Sequence, residues 1–182
     1  MSPGPARTIK PSTGGVAFPP LSADPRLRMD WETHVYYYNS EPKLSVTQYL
    51  DLASYVEGKN FFTEESRVIG SYVHRLIHYR NENDLDENRI HPRLRPYLSA
   101  YDKFIADWNT FKVVLAEFSF YHPAYDYCGT LDFFGYTPQE DWHLVDIKSG
   151  LYKPADAVQL AGYEMGLRAL PELVPFFKQV RH

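Results

Sequence analysis

The apolar periodicity of the chain switches near residue 110, and this switch constrains the fold more than any other feature. Upstream, Ile69, Val73, Leu76 and Ile77 recur at helical spacing, and Leu94, Leu98, Tyr101, Ile105 and Trp108 do so again. Thr63, followed by Glu64 and Glu65, supplies a cap and two first-turn acids for the first of these helices. Downstream the period falls to two. Phe111 to Tyr121 reads as a strand, Pro123 to Asp126 as a turn, and Tyr127 to Tyr136 as a second strand. A turn over Thr137 to Asp141 leads to a short third strand, Trp142 to Lys148. Lys153-Pro154-Ala155 then opens a helix that runs to about Leu170, before Pro171. Helices, a three-strand meander and a helix predict an α/β domain of the α+β type, with a small central mixed sheet flanked by helices.

Trp31 to Tyr38 reads as a further strand, Asn39 to Pro42 as a turn, Leu44 to Thr47 as a short extended piece, and Val46 to Val56 as the helix it leads into, which stops near Gly58. Residues 1–28 read as a flexible, proline-rich arm ahead of a single domain over 29–182. The arm carries Arg7, Lys10, Arg26 and Arg28 against Asp24 alone. Contact with a phosphate backbone and a solvated tail are the two readings of that charge.

The remaining bounds come from composition. No run of residues has the length and apolarity of a spanning segment or of a signal peptide. The expectation is a soluble, cytoplasmic protein with no membrane partner. One cysteine, Cys128, excludes an intrachain disulfide framework and a multi-cysteine metal site. A net charge of −4 excludes a generic basic coat for nucleic acid, so any such binding depends on a local site. The 15 Tyr, 11 Phe and 3 Trp fit an aromatic core or base stacking, and Tyr36-Tyr37-Tyr38 is a candidate wall for a threaded strand.

The segment Leu144-Val145-Asp146-Ile147-Lys148 delivers a carboxylate and an amine from an apolar strand. Strand alternation turns Asp146 and Lys148 to one side and Ile147 to the core, with the Ile147 carbonyl left at the sheet edge. An exposed salt bridge is the competing reading. Asp132, on the preceding strand of a plausible hairpin, approaches Asp146 across the sheet. Two close carboxylates repel unless a proton or cation lies between them, and a divalent metal with oxygen ligands resolves the conflict. Gly129 leaves room there for a backbone or a phosphate. Glu117 interrupts an apolar strand, as an exposed or a functional acid. His74 shares a helix face with Gly70, as a metal ligand or as a residue at the core's edge; Gly70 would let that helix approach its neighbour. Gln159 and Tyr163 share a face of the last helix, for packing or for hydrogen bonding.

In chain order these are GxxxH (Gly70 to His74), Glu117, GxxD (Gly129 to Asp132), DxK (Asp146 to Lys148) and QxxxY (Gln159 to Tyr163). This order resembles the PD-(D/E)xK nuclease superfamily, in particular its RecB-like exonuclease branch, over about residues 35–165. Leu44 to Gln48 is similar to the SVT stretch upstream in phage and mitochondrial members. The resemblance implies a restriction-endonuclease-like core and a site using Mg²⁺ or Mn²⁺. Asp132, Asp146 and the Ile147 carbonyl would ligate the metal, and His74 would complete the site. Glu117 would bind a second metal or orient water, and Lys148 would activate water and stabilise charge. Gln159, Tyr163, Gly70 and Gly129 would support the site or meet DNA. Leu131 stands where the family motif has proline, and cluster-forming cysteines are absent. A final strand expected by the family would fall on Leu173 to Val180, where Pro175 fits a strand poorly.

The implied activity is a metal-dependent deoxyribonuclease, first an exonuclease on single-stranded or duplex DNA ends in recombination, repair or phage DNA metabolism. It would work in the host cytoplasm if phage-encoded, beside a recombination or replication partner protein. The alternatives are a structure-selective endonuclease on the same core and a non-catalytic DNA-binding or assembly subunit.

Overall fold

The computed structural model describes residues 18–30, 33–53, 64–108, 111–137 and 141–179. Strands β1 (Leu27–Asp30), β2 (Val35–Tyr38) and β3 (Glu41–Ser45) precede helix α1 (Val46–Leu52). Helices α2 (Glu64–Asn81) and α3 (Arg95–Asp107) follow. The meander is β4 (Lys112–His122), β5 (Tyr127–Tyr136) and β6 (Trp142–Val145), and α4 (Pro154–Arg168) and α5 (Val174–Gln179) close the described chain.

The sheet runs β1-β2-β3-β5-β4, with β6 also paired to β5. All pairs are antiparallel except β3 with β5. β4 occupies one edge of β5 from Tyr127 to Tyr136. The other edge is divided. β3 takes Tyr127 and Cys128, and β6 takes Phe133 to Tyr136. Among the described residues, 129–132 have no strand partner on that edge, and this gap is where the site forms.

Helices cover both faces. One cluster joins Val46 and Leu50 of α1, Tyr163 and Leu167 of α4, and Phe176 of α5 to Leu131 and Phe134 of the sheet. The other joins Val73 and Ile77 of α2 and Tyr101 of α3 to Phe111 and Phe133. Phe133 and Phe134 are strand neighbours and so point to opposite faces. The result is a mixed α/β fold with a mixed sheet between helices. No helix among the described residues is long and apolar enough to cross a membrane.

The sequence boundaries move in several places. Phe18 and Leu21, 5 % and 6 % exposed, lie in the first cluster, and β1 pairs with β2. The arm boundary at residue 28 is therefore too late; two apolar anchors hold a proline-rich stretch against the sheet. Residues 1–17 lie outside the described set, as do Trp31, Thr63, the end of the helix expected over 46–56, and Val180. The hairpin turn is Asn39-Ser40 alone, since both have positive φ (51° and 66°) and Tyr38 pairs with Glu41, a tight geometry that matches strand twist. The third meander strand stops at Val145, before Asp146. Val174–Gln179 is helical, with Pro175 in its first turn, where a missing N–H costs nothing.

Candidate metal and phosphate site

The alternation of both long strands reverses at one level. On β4, Phe118 and Phe120 pack with the α1/α4 cluster, whereas Ala116 packs with the α2/α3 cluster. On β5, Tyr127 and Leu131 lie with the first cluster and Phe133 with the second. A period of two would keep each set on one face. Glu117 stands at the reversal with φ of 47°, a left-handed conformation that is costly for a residue with a side chain. The register continues through it: Ala116 opposes Phe133 and Phe118 opposes Leu131. Glu117 and Asp132 thus occupy opposing positions where the pleat inverts, beside the gap in the β5 edge.

His74 of α2 completes a group there. Its Nδ1 lies 3.1 Å from Asp132 Oδ1 and 3.9 Å from Glu117 Oε1. One donor atom each from His74, Glu117 and Asp132 falls within 4.8 Å of the other two. The second Asp132 oxygen accepts the Ile147 N–H, which ties the chain after β6 to the unpaired stretch of β5. Ile147 itself packs against the α2/α3 cluster, as the sequence suggests.

Asp146 stands outside that trio and pairs with Lys148, whose Nζ is 2.6 Å from Oδ2. That oxygen is buried, and the Lys148 ammonium is its close partner. Lys148 also donates to Gln159 Oε1 at 2.9 Å, and Gln159 donates to the Tyr163 hydroxyl at 2.6 Å. A polar chain therefore runs from Asp146 to the interior of α4. Asp156, 3.8 Å from Lys148, caps α4 by accepting the Lys153 N–H.

The electrostatics follow from crowding. Burial, then the charge of Asp132, pushes the Glu117 carboxyl up to about 7. The same two causes push Asp146 up to about 6, against the pull of Lys148. Burial acts to lower His74, but the hydrogen bond with Asp132 and the surrounding carboxylates outweigh it, and its affinity for a proton rises. Burial raises the Tyr163 hydroxyl, which stays protonated at neutral pH. The site thus holds excess negative charge that a bound cation would relieve. Two carboxylates and an imidazole whose ligand atoms lie within 4.8 Å of one another fit a divalent ion.

The two glycines differ from expectation. Gly129 does not open onto a phosphate. A Cβ there would meet Phe120 at 2.8 Å and Tyr163 at 3.1 Å, so the glycine admits aromatic rings from inside the fold. Gly70 faces the segment after β6, but a Cβ would meet Ser149 Oγ at an ordinary 3.5 Å, so no close approach demands glycine. Tyr163 is buried, 6 % exposed, and holds Gln159 rather than reaching outward. Tyr36 is also buried and bonds Thr130 at 2.7 Å, so it offers no wall for a strand; Tyr38 stacks on Tyr121.

Sequence reasoning missed Thr130, Ser119 and Asp156. Thr130 joins Tyr36 to Ser119 (2.7 Å each) two residues before Asp132, and strand alternation was the available signal. Asp156 was visible as an acid in the first turn after Pro154. No protein-family model, curated protein or solved structure matches the chain.

Proposed function

We propose that this chain is a divalent-metal-dependent deoxyribonuclease of the PD-(D/E)xK, RecB-like type, built on a restriction-endonuclease-like core and acting on DNA ends. The observation that carries the reading is the meeting of His74, Glu117 and Asp132 beside the Asp146–Lys148 pair, at a gap in the sheet edge. A purely structural ion pair needs no such surplus of carboxylates, which destabilise one another without a counter-ion.

His74, Glu117 and Asp132, with Asp146 beside them, would hold Mn²⁺ or Mg²⁺; the imidazole in the set favours Mn²⁺. Such an ion supplies a water of lowered pKa and neutralises phosphate oxygens. The protein's own groups do the rest. Lys148, with about a third of its side chain exposed, is held between Asp146 and Gln159 and presents an ammonium to a phosphate oxygen. Tyr163 and Gln159 fix that amine so that little reorganisation accompanies the reaction. The unneutralised carboxylates repel a phosphate, so DNA binding requires the metal as well.

The test uses a linear duplex, a linear single strand and a closed single-stranded circle, each with Mg²⁺, Mn²⁺ or chelator. Asp132→Ala and Lys148→Ala proteins run alongside. Metal-dependent loss of the linear substrates alone, abolished in both variants, supports the end-dependent nuclease. Cleavage of the circle moves the reading to an endonuclease. No cleavage of any substrate by the folded wild-type protein refutes the activity.

A further inference from the structure

A cavity of about 300 Å³ opens between α2, α3 and the segment that carries Lys148. Tyr97, Ala100 and Phe104 of α3 line it, together with Ile147, Asp146 and Lys148. We propose that it receives one unstacked nucleobase of a DNA strand whose adjoining phosphate lies at Lys148, so that the site selects unpaired ends. This deepens the nuclease reading and rests on it.

The argument starts from α3. Tyr97, Tyr101 and Phe104 fall on one helical face. Tyr101 is buried, donates to Asn81 Oδ1 at 2.6 Å, and packs near Phe133, so it is fixed as a floor. Tyr97 and Phe104 stay half-buried and leave aromatic surface toward the cavity. The volume lies at the small end of ligand pockets, of the order of one ring system rather than an extended ligand. The aromatic and apolar part of the lining suits a flat, apolar group, and Lys148 suits an anionic one once a bound cation offsets Asp146, the other charged residue of the lining.

A nucleotide has that form. A base within a duplex has both faces covered by its neighbours and must be unstacked at a cost before it can enter. An unpaired end carries no such cost. Contact through the ring faces, without polar groups aimed at base edges, makes the selection tolerant of sequence.

The experiment uses single strands with 2-aminopurine, or an abasic residue, at each of the first few positions from the end. Binding is read in Ca²⁺ by 2-aminopurine emission and cleavage in Mn²⁺ by product length. At one position the wild-type protein is expected to quench emission several-fold. The abasic strand at that position is expected to be cleaved about ten-fold or more slowly, as for loss of one base–aromatic stack. Ala100→Trp fills the cavity from an exposed helical position and Tyr97→Ala removes a wall; each should bring the cleavage ratio close to one and relieve the quench. A ratio near one at every position in the wild type, or one unaltered by both substitutions, overturns the base pocket while cleavage itself leaves the nuclease standing. If no strand is cleaved with any metal, the nuclease reading falls and the pocket falls with it.

Discussion

Replacing Glu117 with glutamine should make the metal-free protein more stable above neutral pH and leave it unchanged in acid. The substitution keeps the shape and removes the charge at the point where the strand pleat inverts. In the folded protein the carboxyl holds its proton up to about pH 7, against an ordinary value of 4.5. Between those limits the folded state binds a proton that the unfolded state has released, so stability falls as pH rises. At about 1.4 kcal/mol per pH unit, this interval sets an upper bound of about 3 kcal/mol. The penalty is absent below 4.5, grows to about pH 7 and is constant above it. For a chain of this length about 2–4 °C accompanies each kcal/mol. Glu117→Gln should therefore melt higher than wild type at pH 8 in chelator, by at most about 6–12 °C, and at the same temperature near pH 4. His74 contributes a slope of the same sign, because its raised proton affinity stabilises the folded state in acid and that contribution is lost as pH climbs through its folded value. That slope is weaker in the variant, because the Glu117 charge is one of the causes that raise His74, and Asp132 keeps the rest of it. Thermal and urea denaturation across the pH range, with chelator and then with Mn²⁺, is the assay. Mn²⁺ should raise wild-type stability at pH 8 more than that of the variant. Parallel pH profiles for the two proteins, or a less stable variant at pH 8, would refute the account of crowded carboxylates.

Two further outcomes are expected. Gly129→Ala should lose about 1–3 kcal/mol in urea denaturation, because the new methyl meets the Phe120 and Tyr163 rings and Phe120 also lies against Gly166, where a Cβ would fall 1.9 Å from it. Gly70→Ala should instead gain about 0.5–1 kcal/mol, since a mid-helix glycine is replaced where the nearest atom is an ordinary 3.5 Å away; a loss of stability there would show that α2 sits closer to Ser149.

What the sequence disclosed depended on whether a feature leaves a periodic trace. α2 and the β4–β5 hairpin do, because Val73 and Ile77 repeat every turn and the strands alternate around Pro123 to Asp126. Asp132, Asp146 and Lys148 were legible because their motifs are local. The pairing of Asp146 with Lys148 was legible in their spacing, whereas the meeting of His74 with Glu117 and Asp132 came only with the family resemblance, because its geometry depends on a left-handed residue in an apolar strand. Nothing in Val113 to Phe118 marks Glu117 as that residue. Phe18 and Leu21 were hidden for the opposite reason. Two anchors spaced among prolines make no period, yet Phe18 stacks near Trp142 at 5.6 Å and edges Phe176 at 5.1 Å. Strand β3 was legible only as a short extended piece from Leu44, and its parallel pairing was silent, since it joins residues more than eighty positions apart.

The division of the β5 edge also has a kinetic meaning. Glu117 and Asp132 belong to the β4–β5–β6 meander, whose pairings are made between neighbours in the chain, and Asp146 and Lys148 follow its last strand directly. Contacts of short sequence separation close early, because little chain entropy is lost in forming them. β3 and His74 arrive from far upstream and must find that same strand later. The carboxylates would then be gathered before the imidazole, and a cation present during folding would meet an acidic hairpin first. Assembly of the N-terminal half onto it would be the step that turns a loose chelator into a shaped site.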